Sequence, residues 1–378
     1  MTNNATIEPS IKKQSSLYFP ALTGVRALAA YAVFWYHCNP LKPGGMPWRF
    51  VNKGDIGVTI FFVLSGFLIC LRYSNRVELS RKWVGRYVRN RVARIYPMYF
   101  LITFLTFLLI WIDPSYDPVH QWSGYTGAEK MLVLFLNASL LKAFFEQLLF
   151  TGIAPGWTLT VEECFYLAAP LLLLGLMKSK KRYALLVLYA IGLLLFGVAV
   201  VHLAPHNYGF FESYKFMLKH TFFGRCIEFI SGMAFALFLR KRTPITISSS
   251  KFTWAGTSWI IITMLLLTHA EIPGTMMGIF INNVMLPPGI IMLFYGLITE
   301  QTWLRRLLET RLFDLLGKSS YVFYLIHVGV IALLIDKYLT INYFIHFPLL
   351  VCLSIVLFQF VEAPLHKRIV RSIKNAGG

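Results

Sequence analysis

Charge is what this sequence has least of. Of its 378 residues only 14% are charged, and acids are the scarcer sign, 17 Asp and Glu against 36 Lys and Arg. Soluble domains carry about a quarter charged residues, so a chain that is 57% hydrophobic reads as a polytopic membrane protein. Cysteine is sparse as well. Cys38, Cys70, Cys164, Cys226 and Cys352 are odd in number and show no CxxC spacing, which excludes a disulfide framework or thiolate metal site and leaves packing residues. HExxH, a Walker loop, GxGxxG and GxSxG are all missing, so nothing points to a metal, ATP, a dinucleotide or a serine hydrolase. The first twenty residues are polar and hold Lys12 and Lys13, so no cleavable signal peptide is expected. No internal repeat is visible, which weighs against a transporter built from matching halves.

What the chain does have is long apolar runs separated by short basic blocks. A net charge of +19 can signal nucleic acid. Here the cations sit between apolar runs, as membrane proteins order their loops, and no nucleic-acid partner is expected. Runs of ~17–25 residues suit a bilayer. They fall at 21–39, 56–72, 95–112, 157–177, 183–203, 221–239, 252–269, 276–298, 319–336 and 343–361. An eleventh stretch, 131–150, is interrupted by Asn137, Lys142 and Glu146. If it does not cross, one side of the membrane collects 26 loop cations and the other 7; if it crosses, that asymmetry collapses. The expectation is therefore an all-α protein of ten transmembrane helices with one re-entrant or interfacial segment and both termini cytoplasmic. Its parts are a cytoplasmic tail 1–20, a membrane domain 21–368 and a cytoplasmic tail 369–378.

The first run, ALTGVRALAAYAVFWYHCN, carries Arg26 and His37, eleven residues apart. At about 100° and ~1.5 Å per residue the two return to one helix face, roughly 16 Å apart. Ionisable residues within a span are costly and mark a functional site by default. A blander reading has Arg26 snorkelling to the headgroups and His37 at the outer interface. The run 72–94 is the densest basic block and ends in Arg91-Val-Ala-Arg94-Ile-Tyr-Pro97. Arg91 and Arg94 are helix-face neighbours whose two guanidiniums suit a phosphate clamp. Orientation of the loop and contact with anionic lipid account for the cations before them. The fourth span opens with Trp157, an interface anchor, and brings Glu162 and Glu163 to the outer end. Glu162 is the carboxylate expected to orient His37. Arg225 and Glu228 are expected to pair with each other, Pro287-Pro288-Gly289 to break or kink its helix, and His327 to sit at mid-depth, lining the cavity or bonded across helices. Glu362-Ala-Pro364 reads as a helix stop, with Glu362 facing a cytoplasmic arginine.

Several of these motifs occur together and in order: Leu22-Thr-Gly24-Val-Arg26 with His37, Gly57 through Phe67, Arg91-Val-Ala-Arg94, Trp157-Thr-Leu-Thr-Val-Glu162, Ser320-Tyr321 through His327, and Glu362-Ala-Pro364. In this set the chain resembles the bacterial acyltransferase-3 family of integral membrane acyltransferases. The family pattern usually has serine where Thr158 stands, and the hydroxyl is kept. The resemblance implies ten spans in the bacterial inner membrane and transfer of an acyl group, often acetyl, from acyl-CoA to a sugar hydroxyl. Typical acceptors are lipopolysaccharide O-antigen, capsule, peptidoglycan, Nod factors and macrolides. Some members carry a further hydrolase-like domain, which is not expected in a chain that ends ten residues after Arg368.

The expected catalytic set is His37 as general base, oriented by Glu162, with Arg26 guiding the donor. Arg91 and Arg94 are expected to hold acyl-CoA, and His327, Tyr324 and Trp157 to line the substrate cavity. The partners are acyl-CoA, a glycan or glycolipid acceptor and membrane lipids, with acetyl-CoA or another acyl-CoA as donor and no metal. No residue stands out as the oxyanion donor. A transporter or flippase would use the same buried groups without consuming a thioester, and a scaffold in an envelope-assembly complex would not need them at all.

Overall fold

The structure, a computed structural model, describes residues 18–74, 76–241, 247–269 and 274–375. Most of the expected tail 1–20, with Lys12 and Lys13, lies outside the described residues, as do Arg242, residues 270–273 and the final 376–378. All regular structure among the described residues is helical. The main helices are α1 (Pro20–His37), α2 (Ile56–Tyr73), α3 (Arg81–Ile112), α4 (Gly127–Ala138), α5 (Trp157–Lys178), α6 (Arg182–Leu203) and α7 (Phe222–Arg240). They are followed by α8 (Lys251–Leu267), α9 (Leu286–Thr299), α10 (Arg311–Ile326), α11 (Val330–Tyr338), α12 (Tyr343–Leu357) and α13 (Ala363–Asn375).

Seven helical segments are long and apolar enough to cross a membrane, and eight if the bent pair α10–α11 is one span. They coincide with seven of the expected runs. The run 21–39 forms α1, of 18 residues, and 252–269 forms α8, of 17; neither is among the seven. The stretch 131–150 folds as α4, only 12 residues long, followed by single turns. At ~1.5 Å per residue such a helix reaches about 18 Å, short of a ~30 Å hydrocarbon core.

Close backbone approach sets the position of α1. A Cβ at Gly57 of α2 would fall 2.2 Å from the carbonyl oxygen of Ala29, and one at Gly317 of α10 would fall 2.0 Å from that of Thr23. Only glycine lets these helices meet, the usual device where lipid supplies no hydrophobic drive. Helix α2 packs in the same way on α7, where Gly66 faces the Phe229 carbonyl and Gly232 that of Val63, each at 2.0 Å from a notional Cβ. Helix α1 begins at Pro20, whose fixed φ suits a first helical turn, and buries Leu22, Val25, Ala29 and Val33 along one stripe.

Two local expectations are corrected and a third takes a specific form. The run 319–336 is not one straight helix: α10 ends at Ile326 and α11 starts at Val330, bent by 83°. Gly329, at φ +107°, makes the corner, a conformation L side chains rarely adopt. Glu362-Ala-Pro364 does not stop its helix. The chain passes through a π-turn at Phe358–Glu362 into α13, and Pro364 falls at the start of that helix, where its missing N–H is least costly. The Pro287-Pro288-Gly289 break takes the form of a π-turn at Ile281–Met285, with the prolines opening α9.

Candidate active site

Helices α1, α2, α3, α5 and α10 enclose a narrow cavity of about 70 Å³. Its charged wall consists of Arg26 from α1, Arg91 and Arg94 from α3, and Glu162 from α5. Tyr166, Tyr321 and Tyr324 supply hydroxyls, and Phe61, Phe62 and Leu64 of α2 supply the apolar side. Three guanidiniums against one carboxylate leave the space cationic. Two residue pairs explain how the sequence delivers this: Arg91 and Arg94 are i,i+3 on α3, and Glu162 and Tyr166 are i,i+4 on α5, so each pair shares a helix face.

Glu162 is fixed within that wall. Its Oε1 accepts a hydrogen bond from Ser65 Oγ at 2.6 Å and another from the Tyr166 hydroxyl. Arg26 lies within electrostatic reach of Arg94, Glu162 and Glu362, and Glu362 of Arg26 and Arg94. The expected pairing of Glu362 with an arginine is not among the ion pairs of the described residues, and its Oε2 is buried without a hydrogen-bond partner. Arg91 is buried, its guanidinium 5.3 Å from the Tyr166 ring centroid, and its Nε also lacks a partner.

His37 ends α1 and is exposed. The expected hydrogen bond between Glu162 and His37 is not among those of the described residues; Glu162 turns to Ser65 and Tyr166 instead. Depth along two helices placed these residues level, but it did not fix the direction in which either side chain points. Beside His37 stand the ring of its neighbour Tyr36, at 4.7 Å, and that of His327, with centroids 5.4 Å apart. His327 is completely buried at the C-terminal end of α10, stacked parallel to Phe323 at 6.0 Å. Its Nδ1 lies 2.7 Å from the Tyr324 carbonyl oxygen. A carbonyl only accepts, so Nδ1 carries the proton and Nε2 is the basic nitrogen. That Nε2 is buried with no partner.

Tyr324 joins the two centres. It lines the cavity, its hydroxyl lies 3.0 Å from Thr158 Oγ1, and its ring is 5.3 Å from that of His327. Trp157 is set apart from the cavity. Its ring meets His220 edge-on at 5.0 Å and packs with Ala143, Leu149 and Phe216. Ser65, Tyr166 and Tyr321 received no role from the sequence. Ser65 lay within a motif already singled out, and Tyr166 is one helical turn after Glu162, so spacing alone could have flagged both.

A second buried polar cluster adjoins the cavity. Arg225 Nε and Glu228 Oε2 form the expected ion pair at 2.7 Å. Thr59 Oγ1 donates to Glu228 at 2.9 Å and accepts from Arg225 Nη2 at 3.1 Å. The Arg225 guanidinium lies 5.2 Å from the ring of Phe62 on the cavity wall. Among the described residues no group of three or more His, Cys, Asp and Glu is placed to hold a metal ion.

Comparison with known proteins identifies the family. The acyltransferase domain of the acyltransferase-3 family matches residues 19–361. A provisionally named O-acetyltransferase of Staphylococcus aureus (strain COL) is 23% identical over 96% of this chain and 59% of its own length. A provisionally named peptidoglycan O-acetyltransferase of Bacillus subtilis (strain 168), YrhL, is 28% identical over 96% of this chain and 57% of its own. The acyltransferase MdmB of Streptomyces mycarofaciens is 26% identical over 82% of this chain and 79% of its own. The chain thus spans less than two thirds of the Staphylococcus and Bacillus proteins. No solved structure matches it significantly. The match over nearly the whole sequence places this chain in the acyltransferase-3 family, and its apolar helices are those of a multi-pass membrane protein.

Proposed function

We propose that the protein moves an acyl group, acetyl by analogy with its relatives' names, from cytoplasmic acyl-CoA to a hydroxyl of an envelope glycan or glycolipid such as lipopolysaccharide O-antigen. The observation that carries this reading is the run of ring contacts from Tyr324, on the arginine-walled cavity, through His327, which stands behind the cavity wall, to the exposed His37. A transporter needs buried charge but not an imidazole pair packed against a tyrosine of the cationic chamber.

In this reading ten helices cross the inner membrane, α1, α8 and the bent α10–α11 joining the seven long apolar segments, and both termini face the cytoplasm. Arg91 and Arg94 hold the CoA phosphates at the inner mouth. Arg26 lies on the face of α1 that leads to His37, about 16 Å further along, and guides the pantetheine arm. His37 takes the proton of the acceptor hydroxyl as its oxygen attacks the thioester carbonyl. The tetrahedral adduct collapses, the carbon–sulfur bond breaks, and the CoA thiolate takes up the proton. His327, held in one tautomer by Tyr324, keeps the imidazole pair in place. Glu162 serves as counter-charge to Arg26 and Arg94 and holds Ser65 and Tyr166 against the donor.

The test is consumption of the donor. Membranes carrying the protein, given radiolabelled acetyl-CoA and whole-cell glycan extract, should release free CoA thiol and label the glycan in equal amounts. No glycan label and no thiol release above membranes lacking the protein would exclude acetyl-CoA as the donor.

A further inference from the structure

One stripe of α3 runs Trp83, Tyr87, Arg91, Arg94. Steps of four, four and three residues confine these side chains to an arc of about 80° on one helix face, spanning roughly 16 Å. The outer half of the stripe is aromatic. Trp83 and Tyr87 stack almost parallel, centroids 5.3 Å apart at 8°, and the Tyr73 ring meets both edge-on at 5.9 and 5.1 Å. Tyr87 is buried and its hydroxyl donates to the Tyr166 carbonyl at 2.9 Å, which fixes it. Trp83 is only half-buried. The inner half is cationic and opens into the cavity. Arg91 has the Tyr73 ring at 6.0 Å and the Tyr166 ring at 5.3 Å. Its buried Nε and the buried Tyr73 hydroxyl have no hydrogen-bond partner.

A membrane-interface anchor would explain a tryptophan at the start of a spanning helix. It does not explain an unpartnered guanidinium nitrogen one to two turns further along the same face. The order of the stripe, flat aromatic surface, then fixed cations, then a narrow chamber, is the order of a nucleotide-linked thioester: purine base, phosphates, slender arm. We propose that Trp83, set on Tyr87 and Tyr73, is the platform on which the adenine of the CoA donor stacks, and that it makes the enzyme prefer the whole nucleotide over the bare pantetheine arm. This rests on the acyl-CoA reading given above.

The experiment uses the full chain in detergent and two ligands, CoA and 4′-phosphopantetheine, which lacks the adenosine half. Affinities are measured by calorimetry for wild type, Trp83→Ala and Trp83→Phe. Removing an aromatic partner from a stacked base weakens binding by about tenfold. Trp83→Ala should therefore bind CoA about tenfold more weakly and 4′-phosphopantetheine as wild type does, and Trp83→Phe should recover most of the loss. The unchanged second ligand also shows that the variant is folded. Equal weakening for both ligands, or none for CoA, overturns the platform and leaves the donor reading standing. A wild-type protein that binds neither ligand overturns both.

Discussion

His37 and His327 face each other with ring centroids 5.4 Å apart, one exposed and the other completely buried. They come from opposite ends of the chain and meet because α10 stops at Ile326 and the path turns by 83° into α11. The corner places a histidine with a committed tautomer beside an exposed one.

His327→Ala should lower turnover about tenfold to a hundredfold while leaving CoA affinity intact, since a group that orients a base acts on the chemical step. His327→Asn, which can still donate to the Tyr324 carbonyl, should retain more activity than alanine. Steady-state kinetics on purified protein separate the two. Wild-type turnover in His327→Ala would remove it from the site.

Arg94→Ala should weaken CoA binding by about tenfold or more, the scale of a charge-assisted hydrogen bond. Arg94→Lys should restore it only in part, because a point charge replaces a two-pronged fork. Calorimetry measures both. Unchanged CoA affinity in Arg94→Ala would dissolve the clamp.

The Arg225–Glu228 pair is buried on both sides, 2.7 Å apart. Breaking such a pair leaves an uncompensated charge and costs about 3–5 kcal/mol. Glu228→Gln should therefore unfold at a clearly lower temperature in detergent, and replacing both residues by apolar ones of similar size should be milder. A melting temperature equal to wild type would show that the pair does not hold α2 against α7.

Lys142, in the turn after α4, is fully buried, and its Nζ donates to the carbonyl oxygens of Thr151 at 2.7 Å and Ile153 at 2.5 Å. Two acceptors are what a neutral amine can satisfy, and burial pushes its pKa down to about 7. Unfolded, the same lysine titrates near 10.4. Between these values the unfolded chain holds the extra proton, so stability should rise with pH from about 7 to about 10. Thermal unfolding across that range should show the slope for wild type and its loss in Lys142→Met. The same slope in both proteins would mean the amine stays charged.

The sequence showed most where chemistry was costly. Arg26 and Glu162 stand out as ionisable groups in apolar runs, Arg91 and Arg94 as helix-face neighbours closing a basic block, and all four meet in one cavity. Basic blocks showed that 131–150 should not cross, and Asn137 and Lys142 inside it turn out to be buried anchors of a loop rather than flaws in a helix. Azimuth was hidden. Helical spacing put Arg26 and His37 on one stripe, but no periodicity says which way a neighbouring helix is rotated, so Glu162 was paired with the wrong group. The corner at Gly329 was hidden too, because a lone glycine in an apolar run reads as a continuing span. Trp157 shows the opposite error: a tryptophan five residues before a key glutamate looks like part of the cavity, yet five residues turn the helix by about 140° net, and it meets His220.

The most direct measurement is mass spectrometry of envelope glycans from cells producing wild type or His37→Ala at equal membrane levels. The expected result is a base-labile acyl mass on the glycan with wild type and its loss by about a hundredfold or more with His37→Ala, the range for removal of a general base. Equal acylation in both would contradict the assignment of His37 as the base and with it the path from the arginine chamber to the outer face.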